Sequence, residues 1–271
     1  MSTLIDPAPA ALDAETIFSR VLVGVDGSPE SLEAARQAAE LERPGGTLTL
    51  LGAWQLPPPL VTPLTVLPSS GPDETAARAE AEDALQAVRR ELPQAAALLV
   101  HGFPAHTLIG EARRSQSTLI AVGSHGQGRL AGILLGSTAT QLAHESPCSL
   151  LVARRLEGGR PRRIAVGVDG SEESAAAYTV ARYLATRFDA ELTTVVAEGD
   201  NLLDLPAVSL VVGDGFEVVP HEPVAALTAA SAAADLLVVG SRGMHGLRAL
   251  GSVSERVAHR AECSTLIVRA R

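Results

Sequence analysis

The run R-V-L-V-G-V-D-G-S, Arg20 to Ser28, returns as R-I-A-V-G-V-D-G-S, Arg163 to Ser171. A short continuous aliphatic run that ends at a glycine turn reads as a strand buried on both faces. Ser28 and Pro29 then supply a helix N-cap and a proline at the first helical position. Two further pairs extend the repeat. L-I-A-V-G-S-H-G (Leu119 to Gly126) returns as L-L-V-V-G-S-R-G (Leu236 to Gly243), and C-S-L-L-V-A-R (Cys148 to Arg154) as C-S-T-L-I-V-R (Cys263 to Arg269). The chain is a tandem duplication, and a repeat of this length sets the fold before any local detail does.

Within the first copy, aliphatic runs at Val21–Val25, Thr47–Ala53, Ala96–Val100, Thr118–Val122 and Ser149–Val152 alternate with helical patterns. The helices are expected from Ser28-Pro29 to Leu41, over Asp73 to Leu92, from about Ala105 to Arg114, and from near Ser137. Strand–helix alternation implies a parallel sheet with helices on both faces and right-handed crossovers. The predicted class is therefore α/β: two tandem doubly wound, Rossmann-like domains, each with a mainly five-stranded parallel sheet. An extension (residues 1–19) precedes the first domain (19–155). A Gly- and Pro-containing charged linker (156–162) leads to the second (163–271).

The copies are not equal. Their offset is 143 residues at the aspartates (26 and 169), 117 at the first glycines (123 and 240) and 115 at the cysteines. The second copy lacks about two dozen residues between its second and third strands. The counterpart of helix 73–92 must be short, within Leu203 to Val212, or absent.

Composition narrows the function. Apolar residues make up 46% of the 271 but aromatics only 3%, so the core is built from Val, Leu, Ile and Ala. With 22 basic against 31 acidic residues the net charge is −9, which disfavours nonspecific nucleic-acid or anionic-membrane binding. No apolar run approaches the roughly 18 residues that span a bilayer. The N-terminus lacks the basic start and apolar core of a signal peptide, so a cytoplasmic protein is expected. Cys148 and Cys263 stand ahead of matching strands and read as buried small apolar residues rather than a redox pair.

The chemistry gathers after the fourth strand of copy one, in V-G-S-H-G-Q-G-R-L-A-G-I-L-L-G-S-T, Val122 to Thr138. The spacing is Gly123-x2-Gly126-x9-Gly136-Ser137. The first glycines let the chain leave a strand end without filling the space above it. The last opens a helix whose free N–H groups and dipole favour an anion. Backbone donors and the hydroxyls of Ser137 and Thr138 suit a polyphosphate. Arg129, inside the loop, either adds charge or is simply solvated. His125 reads as a surface histidine without a role.

On these residues the chain resembles the universal stress protein family, whose ATP-binding members carry Gly-x2-Gly-x9-Gly-Ser/Thr after the fourth strand. The V-D-G-S turn and the small residues before the fifth strand match as well. The resemblance implies an adenine pocket at Val25, Asp26 and Ala53, with phosphates over Gly123, Gly126, Gly136 and Ser137, and ATP accompanied by Mg2+. Asp26 either lines that pocket or caps the turn with Gly27. In copy two the equivalents are Asp169, Gly240, Gly243, Gly251 and Ser252, but the spacing Gly240-x2-Gly243-x7-Gly251 is two residues short. Copy two is then either a weaker nucleotide site or a structural half.

Three functions remain open at this point: a nucleotide-dependent stress-response protein, an interaction module without nucleotide, and a slow ATPase. No Gly-x4-Gly-Lys-Ser/Thr loop is present, and no lysine stands between Gly123 and Ser137. Phosphoryl-transfer chemistry is therefore not expected beyond incidental hydrolysis. The Pro-rich stretch from Leu56 to Pro72 reads as a long loop beside the pocket, a lid or a docking surface. Single-domain relatives pair through their fifth strands. The resemblance therefore predicts an internal pseudo-dimer, with Ser149–Val152 antiparallel to Thr265–Arg269, which leaves further homodimerisation open.

Overall fold

The computed structural model describes residues 17–55, 60–62, 65–67, 74–126, 135–197, 205–213, 216, 218–241 and 253–269. In the first half the chain runs β1 (Arg20–Val25), α1 (Pro29–Leu41), β2 (Thr47–Trp54), β3 (Leu60–Thr62), β4 (Thr65–Leu67), α2 (Glu74–Glu91), β5 (Ala96–His101), α3 (Pro104–Arg114), β6 (Leu119–Gly123), α4 (Ser137–Glu145) and β7 (Ser149–Ala153). The second half repeats it as β8 (Arg163–Gly167), α5 (Glu172–Phe188), β9 (Glu191–Ala197), α6 (Leu205–Val212), β10 (Val218–Val219), α7 (Pro223–Ala233), β11 (Leu236–Gly240), α8 (Val253–Arg260) and β12 (Ser264–Val268).

All the long strands join one ten-stranded sheet in the order β10-β9-β8-β11-β12-β7-β6-β1-β2-β5. Within each half the pairs are parallel, and the strand order is that of a doubly wound fold. At the centre β12 and β7 run antiparallel, with Thr265 opposite Val152, Leu266 opposite Leu151 and Ile267 opposite Leu150. Every residue of both strands is buried. A pair of edges that apolar would invite association if left open, and here each covers the other.

One face of the sheet carries α1, α2, α5 and α6, and the other carries α3, α4, α7 and α8. Both apolar layers run across the two halves without a break. Close approach depends on small residues: Ala34, Ala35 and Ala38 of α1 are fully buried. The start of α1 is set locally. Ser28 Oγ accepts from the Ser31 amide at 3.1 Å, a cap worth about 1 kcal/mol. Gly27 before it has φ +82°, and its counterpart Gly170 has φ +83°, values that favour glycine.

The shortening of the second half is visible in the packing. The counterpart of the 18-residue α2 is the 8-residue α6, within the window expected from sequence. In β2, Gly52 leaves room for Leu85 of α2, since a Cβ there would lie 2.9 Å from Leu85 Cδ1. The equivalent position in β9 is Val196, which is fully buried and fills its own space. The stretch expected as one long loop contains the hairpin β3–β4, in which Thr62 pairs with Thr65. The rest of the stretch lies outside the described residues.

Three arginines tie the halves together at helix C-termini, where the last carbonyls lack partners of their own. Arg154, just after β7, donates from Nη2 to Ala258 O at 2.7 Å and from Nη1 to Cys263 O at 3.2 Å. Arg269, just after β12, donates from Nη2 to Ala143 O at 2.8 Å and His144 O at 3.4 Å. Arg187 of α5 donates to Leu41 O at 3.1 Å and Glu42 O at 2.7 Å at the end of α1. The linker lies over α1, with Gln37 Nε2 donating to Arg154 O at 2.6 Å and Arg160 paired with Glu40 at 2.6 Å.

Cys148 and Cys263 are buried and neither is in a disulfide. Burial pushes the Cys263 thiol up to about 11, against the opposing pull of nearby Arg154. Since only the thiolate attacks, neither cysteine should react with a disulfide reagent at pH 7.5 in the folded protein, and both should react at once in denaturant. Thiol titration reads this directly, and rapid native labelling of either residue would contradict it.

Candidate functional site

A cavity of about 270 Å³ opens at the carboxyl ends of β1 and β6. These strands are neighbours, but their crossovers leave in opposite directions, β1 toward β2 and β6 toward β7. That makes the cavity the switch point of the first half, where such sheets take ligands. Eight first-half residues singled out from sequence line it: Val25, Asp26, Ala53, Gly123, Gly126, Gly136, Ser137 and Thr138.

The polar wall is built from the loop and α4. Ser124 donates its N–H to Ala153 O at 2.9 Å, and its carbonyl accepts from the Gly136 amide at 2.7 Å. The two ends of the glycine loop are thereby held together, beside the first turn of α4. Gly136 occupies the N-cap position and provides no side-chain cap, and that first turn contains no acidic residue. The amides of Ser137 and Thr138 have no intrahelical acceptor by geometry, so the turn presents donors and the positive end of a dipole. Arg129, also in the loop, lies outside the described residues.

The apolar wall comes from Val25, Leu51, Ala53, Pro104, Leu108 and Val122. Leu51, Pro104 and Leu108 were not foreseen. Leu51 reads only as a core residue of β2, and the crossover to α3 brings Pro104 and Leu108 to the strand ends. His125, expected to have no role, also lines the cavity, and its Nδ1 lies 3.1 Å from Ser124 Oγ.

Asp26 holds the turn after β1 and also lines the cavity. Its Oδ1 accepts from the Ser28 amide at 3.0 Å and the Ser28 hydroxyl at 2.5 Å. Asp169 repeats this with Ser171 at 3.0 and 2.6 Å, so the turn is a structural device of both halves. In the first half the other oxygen reaches the cavity wall, where a Cβ on Gly126 would press on Oδ2. That contact is with the end of a side chain, which can shift, so packing alone does not require a glycine at 126.

Gly123 has a different reason from the one its motif suggests. A Cβ there would lie 2.7 Å from the carbonyl carbon of Glu30, in the first turn of α1. Gly240 repeats this, since its Cβ would lie 2.5 Å from the carbonyl carbon of Glu173 in α5. The first glycine of each motif is thus required by helix packing, whether or not a ligand binds. In the second half Asp169 and Gly240 hold equivalent places, and Gly243, Gly251 and Ser252 lie outside the described residues.

Among the described lining residues the only ionisable side chains are those of Asp26 and His125. No cluster of three or more metal-ligating side chains occurs among the described residues. No described helix is long and apolar enough to cross a membrane.

Comparison with known proteins agrees with the architecture. The model of the universal stress protein family matches residues 18–154 and 215–269. The universal stress protein Rv2623 of Mycobacterium tuberculosis is 30% identical over 288 residues, covering 92% of this chain and 96% of that one. A universal stress protein of Mycolicibacterium smegmatis is 29% identical, covering 93% and 97%. The crystal structure of a universal stress protein from Archaeoglobus fulgidus superimposes with a TM-score of 0.65 at 23% identity, covering 93% and 96%. With its duplicated sheet, its glycine-bounded cavity and a family match over both halves, this chain belongs to the universal stress protein family.

Proposed function

We propose that the protein binds one ATP per chain, together with Mg2+, in the cavity of its first domain (19–155), as a nucleotide-dependent regulator of the cytoplasmic stress response. The observation that carries this reading is the two-walled cavity: aliphatic at the strand ends, rich in free backbone donors at the head of α4. A purine fits the first wall by aliphatic contact, and a phosphate chain fits the second. Val25, Asp26 and Ala53 would face the base, and Gly126, Gly136, Ser137 and Thr138 the phosphates. Mg2+ would neutralise the triphosphate, for which the described lining residues offer no arginine or lysine. The volume of about 270 Å³ falls just below the roughly 300–1,000 Å³ of ordinary ligand pockets.

The second domain (163–271) is assigned a structural part. The first turn of α8 carries its own carboxylate, Glu255, where α4 has none. A carboxylate there already satisfies the helix dipole and opposes a bound anion.

Calorimetric titration of ATP with Mg2+ tests the reading. One equivalent per chain is expected, and ligand at about 100 times Kd should stabilise the protein by roughly 2.7 kcal/mol. Gly126→Val, which places branched bulk against Asp26 and the cavity, should abolish binding, whereas Gly243→Val should leave it intact. Absence of both heat and thermal shift in the wild type would replace this reading with that of an interaction module.

A further inference from the structure

We propose that Arg269, from the second half of the chain, is a positioning residue for the nucleotide site of the first half, acting through helix α4. This rests on the nucleotide reading of that cavity. The helix has nine residues, so its two ends lie only about 13 Å apart. Its N-terminus opens on the cavity. Its C-terminus is held from the other half: Arg269 donates to the carbonyls of Ala143 at 2.8 Å and His144 at 3.4 Å, and Glu255 of α8 meets His144 Nε2 at 2.8 Å.

Arg269 is built into this place. It is 7% exposed, its backbone N–H donates to Ser149 Oγ at 3.3 Å, and its Nε has no hydrogen-bond partner among the described residues. Burial pulls its pKa down from the usual arginine value, with the neighbouring Cys148 opposing. A guanidinium nevertheless keeps its charge in a protein. That buried charge finds its compensation in the negative end of the α4 dipole. A cation at the C-terminus cancels the half-charge that would offset the positive N-terminus, along a nine-residue helix whose Ala139, Leu142 and Ala143 are buried. Orientation and field at the phosphate end are then set by a residue 115 positions beyond the matching Arg154.

The duplication provides a matched control. Arg154 makes the equivalent contact on α8, with Ala258 O at 2.7 Å and Cys263 O at 3.2 Å, and none of its described hydrogen bonds goes to α4. Both arginines tie the halves together, but only one grips the helix that faces the cavity.

The experiment compares Arg269→Ala, Arg154→Ala and wild type by ATP–Mg2+ titration, thermal unfolding and hydrogen exchange of the ligand-free chains. Both variants should lose similar thermal stability. Arg269→Ala should raise the ATP Kd by about fivefold or more and speed exchange over 137–145, while Arg154→Ala keeps Kd within about twofold and loosens 253–260 instead. Arg269→Lys should restore most of the affinity, and Arg269→Gln, uncharged but still a donor, should not. That pair decides the matter if Arg269→Ala does not fold. Equal losses of affinity in both alanine variants, or none in Arg269→Ala, would overturn the proposal. If wild type binds no ATP, the functional reading fails by itself. The exchange pattern then still decides whether Arg269 holds α4, because uniform exchange across the variants would sink that claim too.

Discussion

Residues 19–155 expressed alone should form a homodimer through β7. In the whole chain β7 lies at the centre of a ten-stranded sheet, and all five of its residues are buried. Removal of the second half would expose that apolar edge along its full length, a strong template for association. The contacts needed for self-pairing are already present in the first half. Arg154 uses Ala258 O, Cys263 O and Ser264 Oγ, whose first-half counterparts are Ala143, Cys148 and Ser149. Arg269 already binds Ala143 O and Ser149 Oγ, so these acceptors accommodate an arginine. An antiparallel strand pair is compatible with a two-fold axis, and such an interface is self-complementary. Sedimentation at micromolar concentration should give the dimer mass, and Arg154→Ala should weaken the dimer in the isolated half. A stable, soluble monomer would contradict the packing described for β7.

Gly123→Ala should destabilise the protein by about 2–3 kcal/mol or more, a single added methyl with the effect of an overpacked core. The new Cβ would meet Glu30 at its carbonyl carbon, Cβ and carbonyl oxygen, at 2.7, 2.8 and 2.9 Å. Two of these atoms are backbone, so relief requires the first turn of α1 to move. That turn holds the Ser28 cap and the Asp26 hydrogen bonds, so the cavity floor would move with it. A fall in Tm of roughly 5–10 °C is expected for a chain of this size. Gly240→Ala should behave alike, because Glu173 and Ser174 crowd that position in the same way. Gly110→Ala provides the contrast: no atom lies within 4 Å of its Cβ, and it sits inside α3. The same change there should stabilise by up to about 1 kcal/mol. Scanning calorimetry of the three variants separates the cases. A harmless Gly123→Ala would show that the glycine serves the ligand rather than the helix.

Much of this molecule is legible in one dimension, and the reason is its duplication. The strand runs, the Ser28 cap, the glycine spacing and the shortened middle of the second copy are all local or periodic features. Backbone propensity and burial pattern act over a few residues, so they can be read without knowing what packs where. The strand ends at Val25-Asp26 and Gly123 follow from the rule that ligands gather there, whereas the adenine-pocket assignment of Val25, Asp26 and Ala53 comes from the family resemblance.

What packing decided is of another kind. Nothing in the local sequence distinguishes Gly123, which makes room for α1, from Gly126, which faces Asp26 in the cavity wall. Leu108 and Pro104 read as ordinary residues of α3 until the crossover brings them to the ends of β1 and β6. Arg154 and Arg269 look like polar residues closing a strand, yet each is folded over the last turn of a helix in the opposite half. These roles depend on residues more than a hundred positions apart, and only the antiparallel pairing of β7 with β12 brings them within hydrogen-bond reach.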